Sequence, residues 1–246
     1  SLRRASQQRR LALLALLASS PGMRASRDRL VGLLWPERDE RAARHLLADS
    51  VYVLRQALGD DAIVASGEAL HLSADALWSD VAAFQQAIRD DQWSEALDLY
   101  RGDFLDGFFL RDAAEFDQWA VSERNRLRTL AARAASALTC ALERDGRIAD
   151  AAAAAERALD LSPCDEATLR LVVRLHIATG NRGRAEAVAQ AFIERMALEL
   201  GMSPSPETMS VLQESRAVAR AKPIVVVSSG ARRPPGARPI DSVTAS

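Results

Sequence analysis

The spacing of apolar residues predicts three helices at the start of the chain. One leucine stripe runs through residues 3–18, and a second follows Ser26, a residue type that favours the position just before a helix. The second helix stops at Trp35-Pro36, because proline cannot continue it. A third stripe with helical spacing covers residues 41–58. Each stripe must face a core, so the three helices are expected to pack together.

The third helix has an apolar side and a polar side. At 100° per residue, its apolar stripe consists of Leu47, Val51, Leu54 and Leu58. The opposite side is free to contact a partner and has arginines along one edge. Its residues are His45, Asp49, Tyr52 and Gln56, with Arg41, Arg44 and Arg55 at the edge.

A short β-hairpin is predicted directly after the third helix. Gly59 stands where a left-handed helix cap is expected, just before a turn. Two β-compatible segments, residues 62–65 and 70–72, surround the turn signal Ser66-Gly67-Glu68. Helix, break, helix and hairpin in this order are typical of a winged helix-turn-helix.

From residue 79 onwards the pattern changes to paired helices. Short amphipathic segments at 81–88 and 93–100 precede a long helix at 113–144. Beyond it, small residues recur with a period of 34, which is typical of tetratricopeptide helix hairpins. The pairs related by this period are Gly146 and Gly180, Ala151 and Ala185, and Ala155 and Ala189. Small side chains let two helices approach closely, so a stacked helical repeat is predicted.

The expected fold is therefore mainly α, with a small β-hairpin wing. The chain is predicted to divide into three segments. Residues 1–78 are predicted to form the winged helix-turn-helix and residues 79–218 the tetratricopeptide-like domain. Residues 219–246 are rich in Pro, Gly and Ser, and are predicted to be a disordered tail or linker.

Charge is distributed unevenly along the chain. The net charge of −1 for the whole sequence does not favour nucleic-acid binding. Residues 1–59, however, contain eleven arginines and five acidic residues, a net charge of +6, whereas residues 81–220 sum to −5. The basic part is the part with the helix-turn-helix pattern, which makes double-stranded DNA the expected partner.

Five local motifs together resemble one protein family. They are SRDRLVGLLWP, LRQALGDD, YRGDFLDGF, EFDQWAVSER and LELGMSPSPET. In this order they resemble the bacterial transcriptional activator domain proteins, the group that includes the Streptomyces antibiotic regulatory proteins, over residues 1–217. The resemblance implies a response-regulator-type winged helix, a tetratricopeptide-like activator domain, and sequence-specific DNA binding in transcriptional regulation. Winged helices of this type begin with a small β-sheet. Since this chain starts with Ser almost at the first helix, it is interpreted as a fragment, or as the product of an incomplete gene prediction, without that sheet.

The polar side of the third helix is the candidate DNA-binding site. A helix in the major groove contacts base edges, and arginines beside it contact phosphates. The candidate residues are Arg41, Arg44, His45, Asp49, Tyr52, Arg55 and Gln56. The repeats are expected to bind RNA polymerase, another regulatory protein, or a second copy of the chain in a homodimer. The alternative is a protein-interaction scaffold whose winged helix no longer binds DNA.

Other chemistry is not expected from the sequence. It contains no phosphate-binding glycine loop, nucleophile elbow, HExxH motif or catalytic triad pattern, so neither an enzyme nor a cofactor is predicted. The acidic residues within 103–117 are interpreted as a solvated face rather than a metal site, and Cys140 and Cys164 as reduced structural thiols. The four tryptophans and His176 are expected in the core. No apolar run approaches the ~20 residues that span a bilayer, and a cytoplasmic location is expected.

Overall fold

The computed structural model describes residues 2–221, which fold into ten α-helices and a three-stranded sheet. The strands are β1 (Arg24–Ser26), β2 (Ile63–Ser66) and β3 (Ala69–Leu72). The first five helices are α1 (Leu2–Ser19), α2 (Arg27–Leu34), α3 (Glu40–Leu58), α4 (Asp80–Arg89) and α5 (Trp93–Leu99). The others are α6 (Ala114–Arg144), α7 (Ile148–Leu161), α8 (Glu166–Ala178), α9 (Arg182–Leu200) and α10 (Pro206–Ala221). The mainly α-helical fold expected from the sequence is confirmed. Of the predicted tail, residues 219–221 belong to α10 instead, and residues 222–246 lie outside the described residues.

The two helices of the helix-turn-helix begin at side-chain caps. The Ser26 hydroxyl accepts a hydrogen bond from the Arg29 amide at 3.3 Å, which starts α2 as predicted. The Asp39 carboxylate accepts one from the Ala42 amide at 2.9 Å, which starts α3. The predicted apolar stripe of α3 faces the core: Leu47, Val51 and Leu54 are buried, and Leu58 is half-buried. The inner side of α3 is therefore fixed by packing, and its outer side is left for contacts.

An antiparallel sheet with strand order β1-β3-β2 lies beside these helices. Strands β2 and β3 form the predicted hairpin, and Gly67 has a φ of 57° in its two-residue turn. The sequence pattern does not predict β1, because three residues are too few for an alternating signal and pairing with β3 defines the strand. The left-handed cap expected at Gly59 is wrong. This residue has φ 106° and ψ 150°, a conformation open essentially to glycine but outside the left-handed helical region.

The first turns of α6 belong to the core of the winged helix. Phe116 is fully buried, and Ala113 and Ala120 are buried near it. These side chains form one hydrophobic core with residues from α1, α2 and α3. Helix α6 then continues into the repeats, so the two parts of the protein share a helix.

The predicted 34-residue period corresponds to stacked helix pairs. Helix α6 packs against α7, α7 against α8, and α8 against α9 and α10. Gly146 and Gly180 occupy equivalent turns with φ of 73° and 75°. The four alanines of the period are all buried: Ala151, Ala155, Ala185 and Ala189. Close helix packing is therefore the reason for the small residues.

Helices α4 and α5 form a further pair that packs on α6 through α5. Asp103, in the segment that follows α5, accepts hydrogen bonds from the Tyr100 hydroxyl at 3.1 Å and from Arg128 Nε at 3.2 Å. Burial, together with the hydrogen bond to Asp103, raises the pKa of Tyr100. Asp103 is predicted from the sequence to lie on a solvated face, and this prediction is wrong. The Asp103 carboxylate instead connects this segment to α6.

One of the predicted core tryptophans is exposed. Trp78, in the connection between β3 and α4, is 70% exposed, so its prediction is wrong. Trp35 is buried, and Trp93 and Trp119 are half-buried. Apolar spacing does not locate Trp78 correctly because that connection has no regular period.

His176 lies in the repeat core, as predicted. Its Nε2 is 2.5 Å from Glu156 Oε1, and Arg184 Nε donates to the same oxygen at 2.8 Å. Its Nδ1 is buried and has no hydrogen-bond partner among the described residues. Glu156 therefore joins three helices, α7, α8 and α9, through one carboxylate.

We expect Glu156→Gln to reduce the stability of the repeats by about 1 kcal/mol at neutral pH. The hydrogen bond from Arg184, and that from His176, hold the pKa of Glu156 below its ordinary value. A carboxyl group with a lowered pKa stabilises the fold above its unfolded pKa of about 4.3, and this contribution is lost as pH falls through the folded pKa.

The measurement is thermal unfolding followed by circular dichroism between pH 7 and pH 3. The difference in melting temperature between the parent and Glu156→Gln should shrink below about pH 4. Glu194→Gln, at an exposed position of α9, is the control and should match the parent throughout. A difference that stays constant down to pH 3 would contradict this role of Glu156.

Candidate nucleic-acid interface

The outer side of α3 forms one accessible surface. The exposed residues on the side opposite the buried stripe are Arg41, His45, Ala48, Asp49, Tyr52 and Gln56. Tyr52 is 65% exposed, although an aromatic ring gains free energy from burial. The structure therefore brings together five of the seven candidate residues on a surface that a partner can reach.

Arg44 is engaged inside the winged helix. Its Nη2 lies 2.7 Å from Asp28 Oδ1 of α2, and its Nε lies 3.0 Å from Glu40 Oε1 of α3. Its Nη1 lies 3.6 Å from Glu68 Oε2, in the turn of the hairpin. The charge of Asp28, followed by Glu40 and Glu68, raises the pKa of the guanidinium group. Arg44 thus links α2, α3 and the wing, and its charge is compensated by three carboxylates.

Arg55 connects the other end of α3 to the wing. Its Nε and Nη2 both donate to the carbonyl oxygen of Ile63, the first residue of β2, with Nε at 2.8 Å. The side chain is half-buried. Two arginines that the sequence suggests as phosphate contacts therefore hold α3 and the wing in a fixed relation.

Few charges remain on the outer side of α3. Arg41 is exposed and forms no ion pair with any side chain of residues 5–215. Asp49 carries the opposite charge, and His45 Nε2 lies 3.6 Å from Asp49 Oδ2, one helical turn away. Arg41 and Asp49 therefore contribute one positive and one negative charge to this surface.

Strand β1 adds a cation to the wing that the sequence pattern does not place there. Arg24 pairs with His71 of β3, and His71 pairs with Val64 of β2. Successive side chains in a strand point to opposite faces, and Ala25 and Leu70 are buried. Arg24, His71 and Val64 therefore share the other face of the sheet. The sequence does not predict the position of Arg24 because β1, with three residues, is too short to show an alternating pattern.

No metal site is found among the described residues, which contain no group of three or more potential ligands. Within the acidic segment, Asp117 Oδ1 accepts a hydrogen bond from the Leu110 amide at 3.2 Å. Cys140 and Cys164 are both free thiols. Within residues 2–221, no helix is long and apolar enough to cross a membrane.

Comparisons with known proteins identify one family and one similar fold. The family model described as "Bacterial transcriptional activator domain" matches residues 67–216. No protein with a curated description matches the sequence. Among solved structures, Mycobacterium tuberculosis EmbR in complex with a low affinity phosphopeptide is similar, with a TM-score of 0.54 and 20% sequence identity. The match covers 88% of this chain and 60% of that chain. At this identity the likeness shows the fold, and this chain spans less than two thirds of the length of the EmbR chain.

Proposed function

This chain belongs to the bacterial transcriptional activator domain family, and we propose on this basis that it is a DNA-binding transcriptional regulator. In this proposal α3 lies in the major groove and the helical repeats bind a protein partner. RNA polymerase, another regulatory protein and a second copy of the chain are the candidate partners. Stacked helix pairs suit this role because they present extended surfaces built from successive repeats.

The exposed outer side of α3 is the observation that carries the proposal. A helix with its side chains is about 10–12 Å wide, and the major groove of DNA is about 12 Å wide. The side chains available to contact base edges are His45, Asp49, Tyr52 and Gln56, because no described element covers them. Glutamine pairs with adenine through two hydrogen bonds, and a carboxylate accepts a bond from the cytosine amino group. The surface thus offers both polar and aromatic contacts to bases.

Arg41 tests the proposal, since it is the unpaired cation on the outer side of α3. We expect Arg41→Gln to weaken binding to all duplexes by about threefold to tenfold at 0.1 M salt. Each lost phosphate contact reduces the slope of log K against log salt by about 0.9, which corresponds to nearly tenfold in affinity at that salt concentration. The measurement is a salt titration of binding to fluorescent duplex DNA.

The control for Arg41 is Arg133→Gln, which replaces an exposed arginine on α6, beyond its part in the winged-helix core. This variant should bind as the parent does, with the same salt slope. Equal slopes for Arg41→Gln and the parent would contradict the assignment of Arg41 to a phosphate.

A scaffold whose winged helix no longer binds DNA is the second candidate function. The observation in its favour is the internal use of Arg44 and Arg55, which leaves the outer side of α3 almost neutral. In that case the repeats would carry the activity, and α3 would serve only the fold. The two candidates differ in what a charge change at Asp49 does to DNA affinity.

A further inference from the structure

An arginine-rich surface lies beside the outer side of α3, in a depression of about 970 Å³. Its walls come from α1, from the turn between α2 and α3, from one flank of α3, and from the segment just before α6. The three segments outside α3 contribute four arginines: Arg9 and Arg10 from α1, Arg38 from the turn, and Arg111 from the segment before α6. We refer to this region as the arginine depression.

Arg9 fixes the geometry of the arginine depression. Its Nε donates to the carbonyl oxygen of Leu34 at 3.0 Å, and its Nη2 donates to that of Arg111 at 3.1 Å. The guanidinium group therefore joins α1 to the end of α2 and to the segment before α6. Because Phe116 anchors the following helix in the same core, Arg111 is held against the winged helix rather than carried on a free loop.

The other three arginines are available to a ligand. Arg10, Arg38 and Arg111 form no ion pair or side-chain hydrogen bond within the described part of the chain, in contrast to Arg44. Arg10 is half-buried, and Arg38 and Arg111 are exposed. Three carboxylates also line the depression, so that its four arginines leave one net positive charge. These carboxylates are Glu37, Asp49 and Asp112.

The arginine depression adjoins the proposed DNA-binding surface. Asp49 lies on the outer side of α3 and also lines the depression, and Val53 extends this wall. At 100° per residue, Val53 lies on the flank of α3 opposite Arg44 and Arg55, which face the wing. A helix in the major groove has a phosphate strand on either side of it. One strand would therefore run past the wing and the other past the depression.

We propose that the arginine depression binds phosphates of the DNA strand beside α3, and that Arg111 extends the DNA contact to the segment that leads into the repeats. The inference rests on the proposed DNA binding and adds a contact from outside the helix-turn-helix. Unpaired arginines suit this role because neutralising phosphates releases condensed counterions, which favours binding. Since the contact is to the backbone, it contributes affinity without base preference.

The test is a salt titration of the whole chain against random-sequence duplex DNA, with three variants in the depression and one control. Arg38→Gln and Arg111→Gln should each reduce the salt slope by about 0.9 and weaken binding about threefold to tenfold, whereas the control Arg133→Gln should not. Asp112→Asn should bind more tightly than the parent, because it removes a carboxylate from the depression. Asn is the matched substitution, since Asp112 has a φ of 59° and Asn tolerates that conformation.

The outcomes separate this inference from the proposed function. If Arg38→Gln and Arg111→Gln bind as the parent does while Arg41→Gln is weaker, α3 contacts DNA and the arginine depression does not. If the parent itself does not bind DNA, both proposals fail. Unfolding curves that match the parent would show that weaker binding by a variant arises from the lost charge.

Discussion

Replacing Phe116 with Ala should lower the free energy of unfolding by about 3–5 kcal/mol, the usual cost of removing a buried aromatic side chain. Phe116 is fully buried, and its ring centroid lies 5.3 Å from that of Trp119 and 6.0 Å from that of Phe108. Although it belongs to α6, it packs in the core of the winged helix. The loss should therefore destabilise the winged helix together with the start of α6.

The measurement is urea unfolding followed by circular dichroism. Phe109→Ala is the matched control, because Phe109 is seven residues away along the chain and is 64% exposed. It should unfold within about 0.5 kcal/mol of the parent. Equal stabilities for the two variants would contradict a core that the winged helix and α6 share.

Replacing Asp49 with Arg should raise the affinity for random-sequence duplex DNA roughly tenfold or more at 0.1 M salt. The substitution removes a negative charge and adds a positive one on the outer side of α3, next to the arginine depression. One added phosphate contact increases the salt slope by about 0.9, which corresponds to nearly tenfold at that salt concentration. Removal of the repulsion between Asp49 and phosphate adds to this gain.

The control is Asp98→Arg, which makes the same charge change at an exposed position of α5. If the gain came only from a more positive net charge, both variants would bind more tightly by the same factor. A gain confined to Asp49→Arg places the duplex at α3. No gain from Asp49→Arg would favour the scaffold function over DNA binding.

Local sequence signals predict the helices and the hairpin well. Caps such as Ser26, the stop at Trp35-Pro36 and the spacing of leucines act over a few residues, so a pattern in the sequence is sufficient to locate them. The family expected from the motifs is confirmed by the family model that matches residues 67–216. The repeat period is equally local, because Gly146 and Gly180 each end one helix and permit the next.

Long-range partners explain what the sequence does not predict. Arg44 and Arg55 occupy the edge of α3 that the helical period assigns to them, but their partners Glu68 and Ile63 come from the wing. Strand β1 is defined by its pairing with β3, and a pattern of three residues is too short to predict that pairing. The arginine depression likewise joins positions 10 and 111, which only the packed fold brings together. The sequence therefore predicts which residues of α3 point outward. It does not predict which of their charges form no ion pair or hydrogen bond within the fold.

One measurement tests sequence-specific DNA recognition by α3 most directly. The whole chain selects from a pool of random duplex DNA, and the bound fraction is sequenced at several salt concentrations. DNA reading by α3 predicts an enriched sequence whose affinity falls steeply as salt rises. It also predicts that replacing His45 or Gln56 with Ala changes the enriched bases and leaves the salt slope unchanged. Recovery of a bound fraction with no enriched sequence at any salt concentration would contradict sequence reading by α3.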